Sequence, residues 1–67
     1  MNLVEGVQKE IKRVTEIIIE YRSIPGGAGN IAAALMQQDV DEAIRRLASS
    51  EAVELISIYK KLQEWEL

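Results

Sequence analysis

The stretch from Ser23 to Asn30 (SIPGGAGN) constrains the fold most, because it interrupts a chain that otherwise reads as helix. It holds the single proline and three of the four glycines among 67 residues. Pro25 lacks an amide hydrogen and disfavours helical geometry in the residue before it, so a preceding helix has to end there. Gly26 and Gly27 permit positive φ angles, which let the chain reverse sharply. The stretch therefore predicts a tight turn between two helices.

The segment before the turn has the periodicity of an amphipathic helix. Its apolar residues alternate at spacings of three and four, which is a heptad seam. This pattern predicts a first helix over residues 3–22, with Asn2 as its N-cap. Ile17 and Ile19 lie on either side of the seam and widen it beyond what one neighbouring helix covers. The seam consists of Val4, Val7, Ile11, Val14, Ile18 and Tyr21.

A second helix is predicted over residues 28–48. An alternative breaks it at Gln38 and Asp39, because Asp39 and Glu42 have the spacing of an N-terminal capping box. The unbroken helix is preferred, since no glycine or proline interrupts this segment and its apolar stripe keeps its phase.

A third helix is predicted over residues 50–65, with Ser49 or Ser50 as its N-cap. Val53 and Ile56 form a second apolar strip, well round the helix from its main apolar face. Short connections favour antiparallel neighbours. The predicted fold is therefore all-α, with three antiparallel helices in one small domain, residues 1–67.

The size of the chain indicates self-association. A domain this short buries only about 60% of the surface of its unfolded form. Cysteine and histidine are both absent, so a disulfide and the usual zinc site are excluded as sources of stability. With apolar residues on more than one face of the helices, a homo-oligomer is expected to complete the bundle. The predicted oligomer interface comprises Val7, Ile11, Val14, Ile18, Val53 and Ile56.

The composition argues against catalysis. Without histidine or cysteine there is no thiol nucleophile and no imidazole base. Asp39, Asp41 and Glu42 are the densest carboxylates and are chemically able to hold magnesium. Arg45 and Arg46 follow at helical spacing, so the group is interpreted as a solvated acidic turn. We therefore predict that the chain is not an enzyme and that it needs no metal or cofactor.

The charge and hydropathy restrict the partners. Eleven acidic and eight basic residues give a net charge of −3, which argues against a duplex-DNA binder because phosphate neutralisation needs a basic face. No run approaches the roughly 20 apolar residues of a membrane span, and the first residues lack the pattern of a signal peptide. A cytoplasmic protein is expected.

The antiparallel order predicts one candidate ligand site. It brings the glycine turn, the start of the second helix and the end of the third helix to one pole. A helix N-terminus binds phosphate through bare amides and the helix dipole, although the Lys-Ser/Thr ending of a P-loop is missing. The alternative is that the glycines only form a turn and Trp65 packs on the core. The predicted ligand-binding residues are Arg22, Ser23, Gly26, Gly27, Asn30, Lys61 and Trp65.

Three segments carry a resemblance: YRSIPGGA at 21–28, AIRRLAS at 43–49 and VELISIYKKL at 53–62. Together they resemble small uncharacterised helical proteins of tailed phages and prophages. The resemblance implies a non-enzymatic accessory protein that acts in the host cytoplasm by binding. Proteins of that kind inhibit host enzymes, block antiviral defence complexes or sequester nucleotide signals.

Two function hypotheses follow. In the first, a homo-oligomer inhibits or sequesters a host protein through exposed helix faces. In the second, it is a sponge for a small phosphorylated (cyclic) nucleotide at the glycine turn, with oligomerisation completing a pocket that one copy is too small to enclose.

Overall fold

The computed structural model describes residues 2–49 and 51–66. Helix α1 spans Leu3–Arg22, helix α2 spans Asn30–Leu47 and helix α3 spans Ala52–Gln63. A short 3-10 turn, Pro25–Gly27, lies between α1 and α2. Within these residues there is no strand, so the predicted all-helical fold with three helices is confirmed. The helices pack as a small bundle with a radius of gyration of 12.3 Å.

Helix α1 has the bounds and the cap that its sequence predicts. The side-chain oxygen of Asn2 accepts a hydrogen bond from the Glu5 amide at 2.8 Å, which satisfies one of the amides left unpaired at a helix start. At the other end, the amide of Ser23 donates to the carbonyls of Ile19 and Glu20. The chain then leaves the helix towards Pro25.

The turn uses its glycines for two different purposes. Gly26 and Gly27 have φ angles of 79° and 75°, which confirms the predicted reversal through positive φ. Gly29 has an ordinary φ of −92°, but a Cβ atom there would overlap the Tyr21 carbonyl. Only the missing side chain of Gly29 lets the start of α2 lie directly against the last turn of α1.

Helix α2 is continuous through Gln38 and Asp39, so the alternative with a break there is wrong. It begins at Asn30 rather than 28, because the chain is still turning at Ala28 and Gly29. Gly29 occupies the N-cap position and supplies no side-chain hydrogen bond.

Helix α3 is shorter than predicted: it has 12 residues, where the range 50–65 has 16. Glu51 occupies its N-cap position without a side-chain hydrogen bond to the helix. The predicted cap Ser49 lies between the helices: its hydroxyl is 2.8 Å from both the Arg46 carbonyl and Glu54 Oε2, and it accepts from the Glu51 amide at 3.4 Å. The other predicted cap, Ser50, lies outside the described residues.

The core lies between all three helices and is built from aliphatic side chains. Its buried members are Val7, Val14, Ile17, Ile18, Ala33, Met36, Val40, Ala43, Leu55, Ile58 and Leu62. Half-buried residues, among them Ile11, Tyr59 and Trp65, pack around it.

This core corrects part of the predicted oligomer interface. Val7, Val14 and Ile18 are at most 3% exposed. They leave no surface for a second copy, because the seam of α1 is already covered within the chain. Val53 and Ile56 differ, since 79% and 45% of their surfaces are exposed.

None of the helices in the described part of the chain has the length and apolarity needed to cross a membrane.

Replacing Gly29 by alanine is expected to destabilise the fold. The new methyl group overlaps a backbone carbonyl that belongs to α1 and cannot rotate away. We expect a loss of about 1–3 kcal/mol or more in the free energy of unfolding, measured by urea denaturation.

Gly26→Ala is the comparison variant, because nothing lies within 4 Å of a Cβ atom at Gly26 and only its positive φ opposes the change. Equal stability of Gly29→Ala and the wild type would show that the close approach of Gly29 to Tyr21 does not matter.

Candidate functional site

The residues of the glycine turn lie together at one pole of the bundle. Arg22 is exposed in the last turn of α1, and Gly26, Gly27 and Asn30 are exposed as well. The Ser23 hydroxyl donates to the Ile19 carbonyl at 2.8 Å, so it serves the helix end. The pole therefore presents a basic side chain beside a helix start without a side-chain cap.

Lys61 and Trp65 contact the middle of α2 instead. The indole Nε1 of Trp65 donates to Asp39 Oδ2 at 2.7 Å. Lys61 Nζ lies 3.3 Å from Asp39 Oδ1 and 3.5 Å from Glu42 Oε2. Asp39 follows Asn30 by nine residues, which is about 14 Å along a helix. The two side chains thus bond to α2 about two and a half turns beyond its start, because α3, with 12 residues, is shorter than α2, with 18.

These contacts form a polar cluster that joins α2 to α3. Asp39 is only 9% exposed, so its carboxylate depends on the partners it has within the protein. Arg46 donates to Glu42 at 2.6 Å, and this hydrogen bond is the main reason that the pKa of Glu42 is lowered. The hydrogen bond from Lys61 to Asp39 is the main reason that the pKa of Lys61 is raised. Both shifts favour the charged forms.

The carboxylates that the sequence offers as magnesium ligands have partners within the protein. Asp39 and Glu42 face Lys61 and Arg46, while Asp41 accepts a hydrogen bond from Gln37 at 2.9 Å. Across residues 2–49 and 51–66, no group of three or more acidic side chains is arranged to hold a metal ion.

Arg13 has a role that sequence reasoning missed. Its guanidinium donates to the carbonyls of Trp65 at 2.7 Å and Leu62 at 2.9 Å, and its Nε donates to Glu10. A cation from α1 thereby adds a side-chain donor to carbonyls at the C-terminus of α3, where the helix dipole favours positive charge. No local signal identifies this role, since about 50 residues separate donor and acceptors.

Two pockets lie along α1, one on each side of Arg13, and together they are called the groove below. One part has a volume of about 410 Å³ and is lined by Gly6, Lys9, Glu10, Arg13 and Tyr59. The other part has a volume of about 220 Å³ and is lined by Arg13, Glu16, Ile17 and Glu20. Arg13 lines both parts, and sequence analysis did not single out either of them.

Large aliphatic side chains are exposed around the glycine turn. Ile31 and Leu35 are 79% and 48% exposed and are neighbours on one face of α2, four residues apart. Ile19, in the last turn of α1, is 60% exposed, and Ile24 in the turn is 41% exposed. These four residues, Ile19, Ile24, Ile31 and Leu35, are called the turn patch below.

Further exposed aliphatic residues lie away from the turn. They are Val4, Ile44, Val53 and Ile56.

Trp65→Phe is expected to destabilise the bundle while it keeps most of the ring packing. The substitution removes the indole hydrogen that Asp39 accepts and leaves a poorly solvated carboxylate with one partner fewer. We expect a loss of about 1–3 kcal/mol in the free energy of unfolding.

A double-mutant cycle with Asp39→Asn measures the interaction between the two side chains. If they depend on each other, the double variant loses less stability than the sum of the two single losses. Additive losses in urea denaturation would show that the two side chains do not depend on each other.

Comparison of the chain with models of protein families, with curated proteins and with solved structures found no match. The resemblance to small phage proteins therefore stays a prediction, and the function has to be argued from the surface of the molecule itself.

Proposed function

We propose that this chain is a non-enzymatic, phage-type accessory protein that inhibits or sequesters a host factor in the host cytoplasm. The turn patch is its working surface, and a homo-oligomer is its active form. The observation that carries the proposal is that four of the eight large aliphatic side chains exposed in the described residues lie in or next to one turn, in a bundle that has its own buried core.

Energetics support the turn patch as a protein-binding surface. Burying a fully exposed leucine or isoleucine is worth about 1.5–3 kcal/mol. Between 41% and 79% of the surface of each of the four residues is exposed, so burying them against a partner supplies several kcal/mol. A few buried anchors commonly dominate the affinity of an interface.

The rigidity of the turn also favours recognition. Ile24 lies against Gly29, whose backbone contacts the end of α1, so the patch is held by two packed helix ends. A surface ordered before binding loses little conformational entropy when a partner docks.

A binding role is favoured over a catalytic one by the chemistry of the side chains. The chain has no histidine and no cysteine. Its densest carboxylates are engaged by Arg46, Lys61 and the Trp65 indole. They serve to hold α3 in place and are poorly placed to act on a substrate.

The proposed unit of assembly is an antiparallel three-helix bundle. Two polar contacts support this order: Arg46, late in α2, donates to the carbonyl of Glu54, early in α3, and Trp65, after α3, donates to Asp39 in the middle of α2. The exposed strip of Val53 and Ile56 and the small size of the chain support an oligomer.

Aspartate substitutions in the turn patch test the proposal. Ile31→Asp and Leu35→Asp place a charge at the centre of the patch while changing only exposed positions of α2. We expect each to reduce the recovery of the specific partner from host lysate by about tenfold or more, since burying an unpaired charge is costly. The measurement is affinity capture with quantitative mass spectrometry.

Ile44→Asp is the matched control, because Ile44 is 53% exposed, close to the 48% of Leu35, but lies near the other end of α2. Circular dichroism establishes that all three variants keep their helicity. If the two patch variants captured the same proteins as the wild type, the turn patch would not be the working surface.

A second candidate is a sponge for a small phosphorylated nucleotide at the glycine turn. It is favoured by the exposed Arg22 beside the uncapped N-terminus of α2. Lys61 and Trp65 bond to the middle of α2, so a second copy has to supply further contacts.

Thermal shift against cyclic and linear nucleotides distinguishes the two candidates. A ligand at 100 times its dissociation constant stabilises a fold by about 2.7 kcal/mol, which is several degrees for a domain of this size. Arg22→Ala is expected to weaken binding by about 1.5–3 kcal/mol, the value of a charge-assisted hydrogen bond. Lys60→Ala, an exposed basic position on α3, is the control and leaves the shift unchanged. A panel without any shift would rule out the sponge.

A further inference from the structure

Helix α1 carries a charged stripe along its outer groove. Lys9, Arg13, Glu16 and Glu20 follow each other at spacings of four, three and four residues, so they lie on one face. The first two are basic and the last two acidic. About 17 Å of helix separate Lys9 from Glu20. The stripe is therefore divided into a positive half and a negative half.

This order is unfavourable within a single chain. The basic pair and the acidic pair each stand four residues apart, where like charges destabilise a helix. Glu20 also lies in the last turn of α1, at the negative end of the helix dipole. The stripe violates local rules that most of the chain obeys, which is expected where a surface serves a purpose outside the chain.

Most charges of the stripe also lack an ion-pair partner within the described part of the chain. Glu5 and Lys12 have the i,i+4 spacing to pair with Lys9 and Glu16 respectively. Among the residues that the structure describes, neither pair closes to an ion pair, and Glu20 forms none either. Arg13 differs, since Glu10 and two carbonyls of the α3 end hold it in place.

A second copy of α1 in antiparallel orientation fits this stripe. It sets Lys9 opposite Glu20 of the second copy and Arg13 opposite Glu16 of the second copy, because both pairs are placed evenly about the same centre. Two-fold symmetry repeats both contacts, so four opposite-charge contacts form at once. A parallel pairing sets like charges against each other.

The groove provides space for such a neighbour. Its two parts, of about 410 Å³ and 220 Å³, follow the stripe from Gly6 to Glu20. Gly6 and the half-buried Tyr59 line its wider part. The turn patch, at the pole of the bundle, stays free for another partner.

We propose that the groove and charged stripe of α1 form the isologous interface of a homodimer, with α1 of a second copy docked antiparallel. The inference rests on the homo-oligomer that the proposed function includes. It names a surface that differs from the interface predicted from the apolar seam.

Charge reversal tests the pairing by sedimentation equilibrium at low salt, where exposed charges are screened least. Lys9→Glu and Glu20→Lys each turn two attractive contacts into repulsive ones. We expect each to raise the dissociation constant of the dimer about tenfold or more. The double variant Lys9→Glu/Glu20→Lys restores the wild-type constant, and an equimolar mixture of the single variants forms a heterodimer.

Matched controls reverse exposed charges off the stripe. Lys60→Glu and Glu51→Lys, both at exposed positions, leave the dissociation constant unchanged. Circular dichroism checks the helicity of every variant. Should one single variant fail to fold, the double variant and the remaining single variant still decide the result.

Two outcomes overturn the inference. A wild-type dimer that the reversals do not weaken, or that the double variant does not restore, has its interface elsewhere, and the proposed oligomer then stands. A wild type that stays monomeric at all concentrations removes both the inference and the oligomer, while partner capture through the turn patch is judged by its own variants.

Discussion

The approach of Gly29 to the carbonyl of Tyr21 sets the relation between the first two helices. A backbone that lies directly on another backbone leaves no room for a side chain, so the start of α2 has one position against the end of α1. That position aligns the aliphatic faces of the two helices over their length and creates most of the core. The same turn leaves Ile24 and Ile31 outside the core, 41% and 79% exposed.

Helix α3 is held by a different kind of interaction. Besides its three core residues, its end is fixed by polar groups from both other helices: Arg13 donates to its last carbonyls and Asp39 accepts from Trp65. Such groups are costly when unpaired and specify one register when paired. The polar residues between the helices therefore determine where α3 stops along α2.

The two proposed surfaces differ in their physical character. The turn patch is aliphatic and suits a partner that supplies its own apolar face. The stripe of α1 is charged, and its order favours a second copy of itself. In the proposed dimer each copy would carry one turn patch, and two linked sites bind a divalent target more tightly than one.

Local features of the sequence determined the elements. Periodicity and the Asn2 cap set the bounds of α1, the glycines at 26 and 27 set the turn, and the unbroken apolar stripe made α2 continuous. What depends on distant residues was decided by the tertiary structure alone. Val7, Val14 and Ile18 are covered by the chain's own helices. Lys61 and Trp65 bond to Asp39 in the middle of α2. Arg13 caps a helix some 50 residues away. A sequence pattern reports which face of a helix is apolar, but packing determines how long each helix is, which residues it meets and which apolar faces stay uncovered.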